Sequence, residues 1–144
     1  GEVIRITYQR VALKKNSRDV RIVFSKKRHR NVAIPCQSKS YMLALKHSMP
    51  EILKQWGKRE PIGGKHERLH IKATFYAGPG VEPDLDGACV GCGDLLAQCK
   101  VILNDRFIYS WDGSRVIPHY VHQLDAHTEV EITRREYIGP LRKR

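Results

Sequence analysis

The sequence predicts a small α/β (α+β) domain, a mixed sheet with two main helices. Residues 69–76 alternate apolar and polar side chains, as a half-buried strand does. Residues 87–103 carry apolar side chains at helical spacing. Residues 107–111 alternate again, with Phe107, Tyr109 and Trp111 on one side. These three stretches predict a strand–helix–strand unit within the domain.

The other elements are weaker but consistent. Residues 3–8 and 20–24 alternate as strands, and 129–133 predicts a final strand. A helix is expected after Ser38 or Ser40, either of which can cap it. Pro50 predicts a kink in that helix or a division into two short helices. Residues 57–64 predict a loop, and Asp112-Gly113 is typical of a hairpin turn.

The 144 residues suit one domain, 1–144, that ends in a short basic tail at 139–144. No apolar run is long enough to span a membrane, so no membrane partner is expected. We find no secretory signal. Four cysteines in a chain of this size do not suggest a disulfide framework, so a reducing cytoplasm is the expected location.

The charge balance points to a polyanionic partner. The chain has 26 Lys and Arg against 15 Asp and Glu, a net charge of +11, which favours nucleic acid. The basic residues are concentrated in two loops and the tail, and in the loops they are predicted to contact DNA phosphates. The predicted contact residues are Lys14, Lys15, Arg18, Lys26, Lys27, Arg28 and Arg30. The alternative is that both loops are merely solvated.

The predicted helix 87–103 has two distinct sides. One side carries an apolar stripe, formed by Cys89, Cys92, Leu96, Cys99 and Leu103. Another side carries Asp86, Val90 and Asp94 at i, i+4 and i+8. Gly87 and Gly91 leave a smooth patch, which predicts close approach of another backbone.

The spacing Cys89-x-x-Cys92 is compatible with half of a zinc site. No second such pair follows, and nothing places His119 or His122 nearby, so core packing of the thiols is favoured.

Three acidic residues flank this helix. Asp84 and Asp86 are two residues apart before it, and Asp105 follows it. Side-by-side pairing of the flanking strands would gather the three carboxylates at one end of the sheet, where they would favour a hard cation such as Mg²⁺. Taken singly, Asp84 would be a turn residue, Asp86 a helix N-cap and Asp105 a residue past the helix end.

These residues resemble a known family. Asp84-Leu85-Asp86, then Asp94 followed by two leucines, then Asp105, is similar in order and spacing to the core of the RusA-type Holliday-junction resolvases. The chain departs from the family pattern at Gly87, Val90 and Asn104, where the family usually has asparagine, lysine and an acid.

The resemblance implies a homodimeric endonuclease that resolves four-way DNA junctions by paired symmetric nicks. It implies that Asp84, Asp86 and Asp105 are catalytic and hold Mg²⁺, with Mn²⁺ able to substitute. Asp94 is expected to support these ligands or to pair locally. Lys14 or Lys15 is expected to supply the cation missing at Val90.

Two alternatives remain: a DNA- or RNA-binding protein with a degenerate site that no longer cuts, and a zinc-stabilised interaction module.

Overall fold

The computed structural model describes residues 2–13, 20–35, 39–78, 83–118, 122 and 125–139. Within these residues the chain forms the following strands: β1 Val3–Gln9, β2 Val20–Ser25, β3 Arg30–Pro35, β4 Glu67–Tyr76, β5 Ile108–Ser110, β6 Arg115–Ile117 and β7 His127–Glu136. Its helices are α1 Lys39–His47, α2 Met49–Trp56 and α3 Leu85–Gln98, with a 3-10 turn at Asp105–Phe107.

The main sheet is mixed and has the strand order β1-β7-β4-β5. β7 pairs antiparallel with both β1 and β4. β5 and β6 pair parallel with β4, β5 near its start and β6 at its end. The mixed α+β class and the strand–helix–strand unit β4–α3–β5 are therefore confirmed. β2 and β3 form a separate two-stranded sheet.

The core lies between this sheet and α3. Ile4, Ile6 and Tyr8 of β1 are buried in strict alternation with exposed residues. β4 contributes its own buried row, Leu69, Ile71, Ala73 and Phe75. The α3 stripe is buried against them as predicted as far as Cys99, whereas Leu103 lies beyond the helix and is exposed.

Pro50 stands at the first turn of α2, which confirms the division into two short helices. α2 covers the outer edge of β1. Gln55 accepts from the Thr7 N–H at 3.0 Å and donates to the Thr7 carbonyl, while Glu51 accepts from the Gln9 N–H at 2.7 Å. These side chains satisfy backbone groups that an edge strand would otherwise offer to another chain.

The end of α3 was predicted five residues too late. The helix ends at Gln98 because Lys100 adopts a left-handed conformation, with φ of 59°. The Val101 N–H then donates to the Leu96 carbonyl and the Lys100 N–H to the Ala97 carbonyl, which is the Schellman ending. No glycine marks this turn, so the sequence gives no stop signal there. Buried Ile102 instead pairs with Ile62.

The strand that follows α3 is also shorter than predicted. The predicted strand at 107–111 is a 3-10 turn followed by only three strand residues. Asp112-Gly113 does form a turn, with Gly113 at a φ of 88°, but the hairpin is wrong, because β5 and β6 each pair with β4 rather than with each other. The strand β3 was missed, and β7 is longer than the predicted 129–133.

Gly91 is where the chain crosses α3. A Cβ added there would lie 2.2 Å from the Ala12 carbonyl oxygen and 2.5 Å from the Leu13 carbonyl carbon. The predicted backbone approach is therefore confirmed at Gly91, and the approaching segment belongs to the same chain. At Gly87 no backbone of the described residues lies within 4 Å of such a Cβ, and the nearest atom to it is the Asp84 carboxylate oxygen at 3.5 Å.

None of the described helices is long and apolar enough to cross a bilayer.

Candidate active site

Asp84 and Asp86 lie at the start of α3. The Asp84 carboxylate accepts a hydrogen bond from the Gly87 N–H at 3.1 Å and caps the helix, so Asp84, and not Asp86, is the N-cap. Asp86 is in the first turn, and both side chains are exposed. The positive end of the helix dipole favours carboxylates here, so this arrangement stabilises the helix whatever else it does.

Asp105 lies away from this pair. It precedes β5, which pairs with β4 near Leu69, whereas Asp84 follows the far end of β4. Parallel pairing places the starts of the two strands together, and α3 runs between them. Asp105 lies against Gly93, which is seven residues after Asp86 and so about 10 Å along the helix axis from it. The expected pairing is thus present, and it brings Asp105 to the middle of α3 rather than to its start. The described residues contain no group of three or more His, Cys, Asp and Glu side chains placed to hold one ion.

Asp105 instead lies beside Asp94. The two carboxylates line one cleft of about 250 Å³, the acidic cleft, whose other lining residues are Ala97, Gln98, Leu103 and Asn104. Asp105 lies against Gly93 of α3, since a Cβ added at Gly93 would be 3.5 Å from the Asp105 Cβ, an ordinary contact distance. The structure therefore makes Asp94 a neighbour of Asp105 in the cleft.

Asp94 also faces the buried Tyr41 of α1. Burial, followed by the negative charge of Asp94 and the thiol of Cys99, raises the pKa of the Tyr41 hydroxyl to about 12. Tyr41 consequently remains a neutral phenol at physiological pH. It bounds the inner side of Asp94 without adding charge to the acidic cleft.

The acidic cleft fits a hard divalent cation by its donor chemistry. Mg²⁺ is often held by one or two carboxylates, with water and substrate phosphate oxygens completing its ligands. Asp94 and Asp105 supply two such carboxylates, and Gln98 adds an amide. The Asn104 side-chain oxygen accepts from the Arg106 N–H at 2.9 Å and so holds the 3-10 turn in place.

A second cleft of opposite charge opens on the other side of the same turn. This basic cleft has a volume of about 430 Å³ and is lined by Lys65, Arg68, Arg106 and Phe107. The turn Asp105–Phe107 contributes Asp105 to the acidic cleft and its next two residues to the basic cleft. Lys65 and Arg68 reach it because Lys65 lies just before β4 and Arg68 lies near its start, beside the start of β5.

Arg68 is held in a fixed position. Its guanidinium carbon lies 3.9 Å from the ring centre of Tyr137 and 5.1 Å from that of Phe107. It also donates to backbone carbonyls, including that of Gly64. Arg106 stacks on Phe107 at 4.8 Å. Arginine side chains fixed in this way lose little entropy when they bind an anion.

Among the described side chains, no carboxylate neutralises Lys65, Arg68 or Arg106. Glu67, which directly precedes Arg68, accepts instead from the Gly63 N–H at 2.9 Å and from Arg134 at 2.9 Å. Burial opposes ionisation of Glu67, but these two partners prevail and lower its pKa. The basic cleft therefore retains its positive charge.

The basic residues of the basic cleft were missed in the sequence. Arg106 directly follows Asp105, and side-by-side pairing of the strands that flank the helix was predicted. The residues at the starts of both strands were the signal that could have revealed this cleft.

The predicted DNA contacts divide into two groups. Lys14, Lys15 and Arg18 lie outside the described residues. Lys26, Lys27 and Arg28 occupy the turn between β2 and β3, Arg30 begins β3, and all four are exposed.

Cys89, Cys92 and Cys99 are buried in the core, which confirms the packing interpretation for these thiols. Burial, and next the charge of Asp86, raises the pKa of Cys89 to about 11. Burial also raises the pKa of Cys92 to about 12 and that of Cys99 to about 11.

These raised pKa values predict slow thiol modification. Each unit above the ordinary value lowers the thiolate fraction tenfold at a pH below both values. At pH 8 we expect the three thiols to react with an aromatic disulfide reagent at least about 100-fold more slowly in the folded chain than in guanidinium. Peptide mapping would assign the rates. Rapid reaction of Cys89 and Cys92 that zinc suppresses would support a metal site instead.

No known family model matches the chain, and no curated protein matches it either.

Proposed function

We propose that the protein is a Mg²⁺-dependent endonuclease that binds branched DNA, with four-way junctions as its substrate. The observation that carries the proposal is the meeting of the acidic and basic clefts at the turn Asp105–Phe107. A nuclease needs cations that bind the phosphates of a strand and, next to them, carboxylates at the phosphate that is cut. Branched DNA is proposed as the substrate because the acidic motif resembles that of the RusA-type resolvases.

In this proposal a DNA strand crosses the 3-10 turn. Lys65, Arg68 and Arg106 hold phosphates on one side, and Arg68 is already fixed by Tyr137 and Phe107. Asp94 and Asp105 lie on the other side, next to the phosphate that follows. Arg106 directly follows Asp105 and is a further candidate cation beside Lys14 or Lys15.

Mg²⁺, or Mn²⁺ in its place, would be held by Asp94 and Asp105 and would neutralise charge on the scissile phosphate and activate a water. Asp84 and Asp86 belong to the proposed catalytic set through the resemblance of the acidic motif. Asp86 lies on the same side of α3 as Val90 and Asp94, at i, i+4 and i+8. Val90 is 39% exposed, so this side of α3 is open to a bound strand.

The direct test is incubation of the full chain with an end-labelled four-way junction, with and without Mg²⁺. We expect paired nicks only with Mg²⁺, and Arg68→Gln or Arg106→Gln should lower the slope of log affinity against log salt by about 0.9 each on duplex arms. Arg59→Gln is the matched control, because Arg59 also stacks on a ring, that of Trp56 at 4.5 Å, but is paired with Glu2. Equal slopes in all variants would refute the role of the basic cleft.

The protein is expected to act as a homodimer, because paired nicks in a two-fold junction need two related sites. The apolar and glycine sides of α3 are one possible contact surface between two chains, but they are buried within the chain itself. Sedimentation should show a species of twice the 16.6 kDa chain mass at micromolar concentration. A species of single chain mass that still resolves junctions symmetrically would contradict this.

The second candidate, a DNA- or RNA-binding protein that does not cut, is supported by the exposed basic turn between β2 and β3. Junction binding without any cleavage in Mg²⁺ or Mn²⁺ would establish it.

A further inference from the structure

The hairpin of β2 and β3 is a ribbon of its own. Its strands pair in the register Ile22 with Ala33 and Phe24 with Asn31, and among the described strands neither one pairs with the main sheet. Six residues at about 3.3 Å each make the ribbon about 20 Å long. A two-stranded ribbon has a width that DNA grooves admit.

One face of the ribbon is apolar and exposed. Ile22 is 62% exposed and Phe24 is 61% exposed, and their cross-strand partners Ala33 and Asn31 are exposed as well. On the opposite face Val23 and Val32, which pair with each other, are partly buried. Two large apolar side chains side by side on an exposed ribbon are typical of an interaction surface.

The ribbon is also strongly basic. Residues 20–35 include five Lys and Arg and no Asp or Glu. The turn Lys26–His29 is shaped by the Arg28 N–H, which donates to the Ser25 hydroxyl at 3.2 Å. None of the ion pairs found in the described chain involves this turn.

The positive charge of the ribbon indicates which partner binds its exposed apolar face. A second copy of the ribbon would place its five positive charges against the five of the first, which repel each other. DNA instead brings negatively charged phosphates, which the ribbon attracts. An apolar side chain on a basic ribbon can then reach the faces of bases, as apolar wedges do in proteins that unstack DNA.

We propose that Phe24, with Ile22 beside it, packs against the exposed base faces at the branch point of the DNA, while the turn Lys26–His29 holds the adjoining phosphates. The proposal rests on the function proposed above and adds how a branch is distinguished from a plain duplex. Stacking is already interrupted at a branch, so opening a base there costs less than in a continuous duplex. Phe24 therefore favours the branch, and the basic turn favours any DNA.

The test is binding without divalent metal, so that cleavage does not enter. A four-way junction and a linear duplex of equal length each carry 2-aminopurine, in the junction at the branch. Wild type should raise the fluorescence of the junction and bind it more tightly than the duplex. Phe24→Ala should lose the fluorescence rise and lower the preference for the junction about 5- to 150-fold, the range of one stacked base. Phe24→Trp should restore both.

Two control variants separate the causes. Leu53→Ala removes another exposed apolar side chain, 43% exposed on α2, and should change neither readout. Lys27→Ala should weaken both DNAs alike and leave the preference intact. The inference is overturned if Phe24→Ala leaves the preference unchanged, weakens both DNAs equally, or converts a dimer to monomers in sedimentation.

Failure of the two proposals can be told apart. If the fluorescence rise needs Phe24 but the protein never cuts in Mg²⁺, the role of Phe24 is supported and the nuclease proposal is refuted. Cleavage of junctions with no dependence on Phe24 does the reverse. Absence of DNA binding by wild type overturns both.

Discussion

Asp105→Asn and Asp94→Asn should each lower the single-turnover rate of junction cleavage by about 10²–10³-fold, the loss typical when one charge-stabilising group is removed from an active site. Asparagine keeps the shape of the side chain but removes the charge that the acidic cleft offers a cation. The rate is measured at saturating enzyme, with Mg²⁺ in excess.

Junction affinity should persist or rise in these variants, because each one deletes a negative charge near DNA phosphates. Asp112→Asn is the matched control, an exposed acid in the turn before β6 and outside both clefts. If Asp94→Asn cuts at the wild-type rate while Asp105→Asn does not, the two-carboxylate cleft is not the cation site.

Asp84→Asn and Asp86→Asn are expected to impair cleavage as well. For Asp84 the choice of asparagine matters, because asparagine caps a helix about as well as aspartate, whereas alanine costs about 1 kcal/mol in the free energy of unfolding. Loss of cleavage in Asp84→Asn at unchanged stability would identify a role beyond the cap at Gly87.

Gly91→Ala should lower the free energy of unfolding by about 3 kcal/mol or more, the upper range for overpacked cores. The new methyl group would lie 2.2 Å from the Ala12 carbonyl oxygen, and backbone on both sides has to move to accommodate it. The measurement is urea unfolding followed by circular dichroism, with wild type alongside.

Gly93→Ala is the control on the same helix. Its added Cβ would be 3.5 Å from the nearest atoms, which is ordinary contact, and alanine favours a helix over glycine by about 1 kcal/mol. We therefore expect Gly93→Ala to be neutral or stabilising. Equal destabilisation by both changes would show that Ala12 and Leu13 do not cross α3 at Gly91.

The strands and helices with strong periodicity were predictable from the sequence. β4 alternates over its whole length, and the buried side of α3 carries its apolar stripe. The structure confirms the division into two helices at Pro50, one of two alternatives that the sequence left open, because proline is well accommodated in the first turn of a helix. Local chemistry determines each of these features.

The predictions that were wrong concern features that depend on contacts between residues distant in sequence. α3 ends at Gln98. Lys100 then adopts a left-handed conformation although it is not glycine, and Ile102 pairs with Ile62. The acidic residues were recognised, but their grouping depends on strand direction, and parallel pairing places Asp105 with Asp94 rather than with Asp84. The basic cleft was missed because Lys65 and Arg106 meet only through that pairing.

The position of β1 between β7 and α2 has a consequence for synthesis on the ribosome. β1 is made well before its sheet partner β7, and the hydrogen bond from Thr128 to the Arg10 carbonyl spans 118 residues. At about 5–20 residues per second, Ile4, Ile6 and Tyr8 wait on the order of ten seconds for their sheet. α2 emerges much earlier, and its Gln55 and Glu51 can hold the edge of β1 in the meantime. Weakening that contact should lower the yield of folded protein during translation more than it lowers the stability of the finished chain.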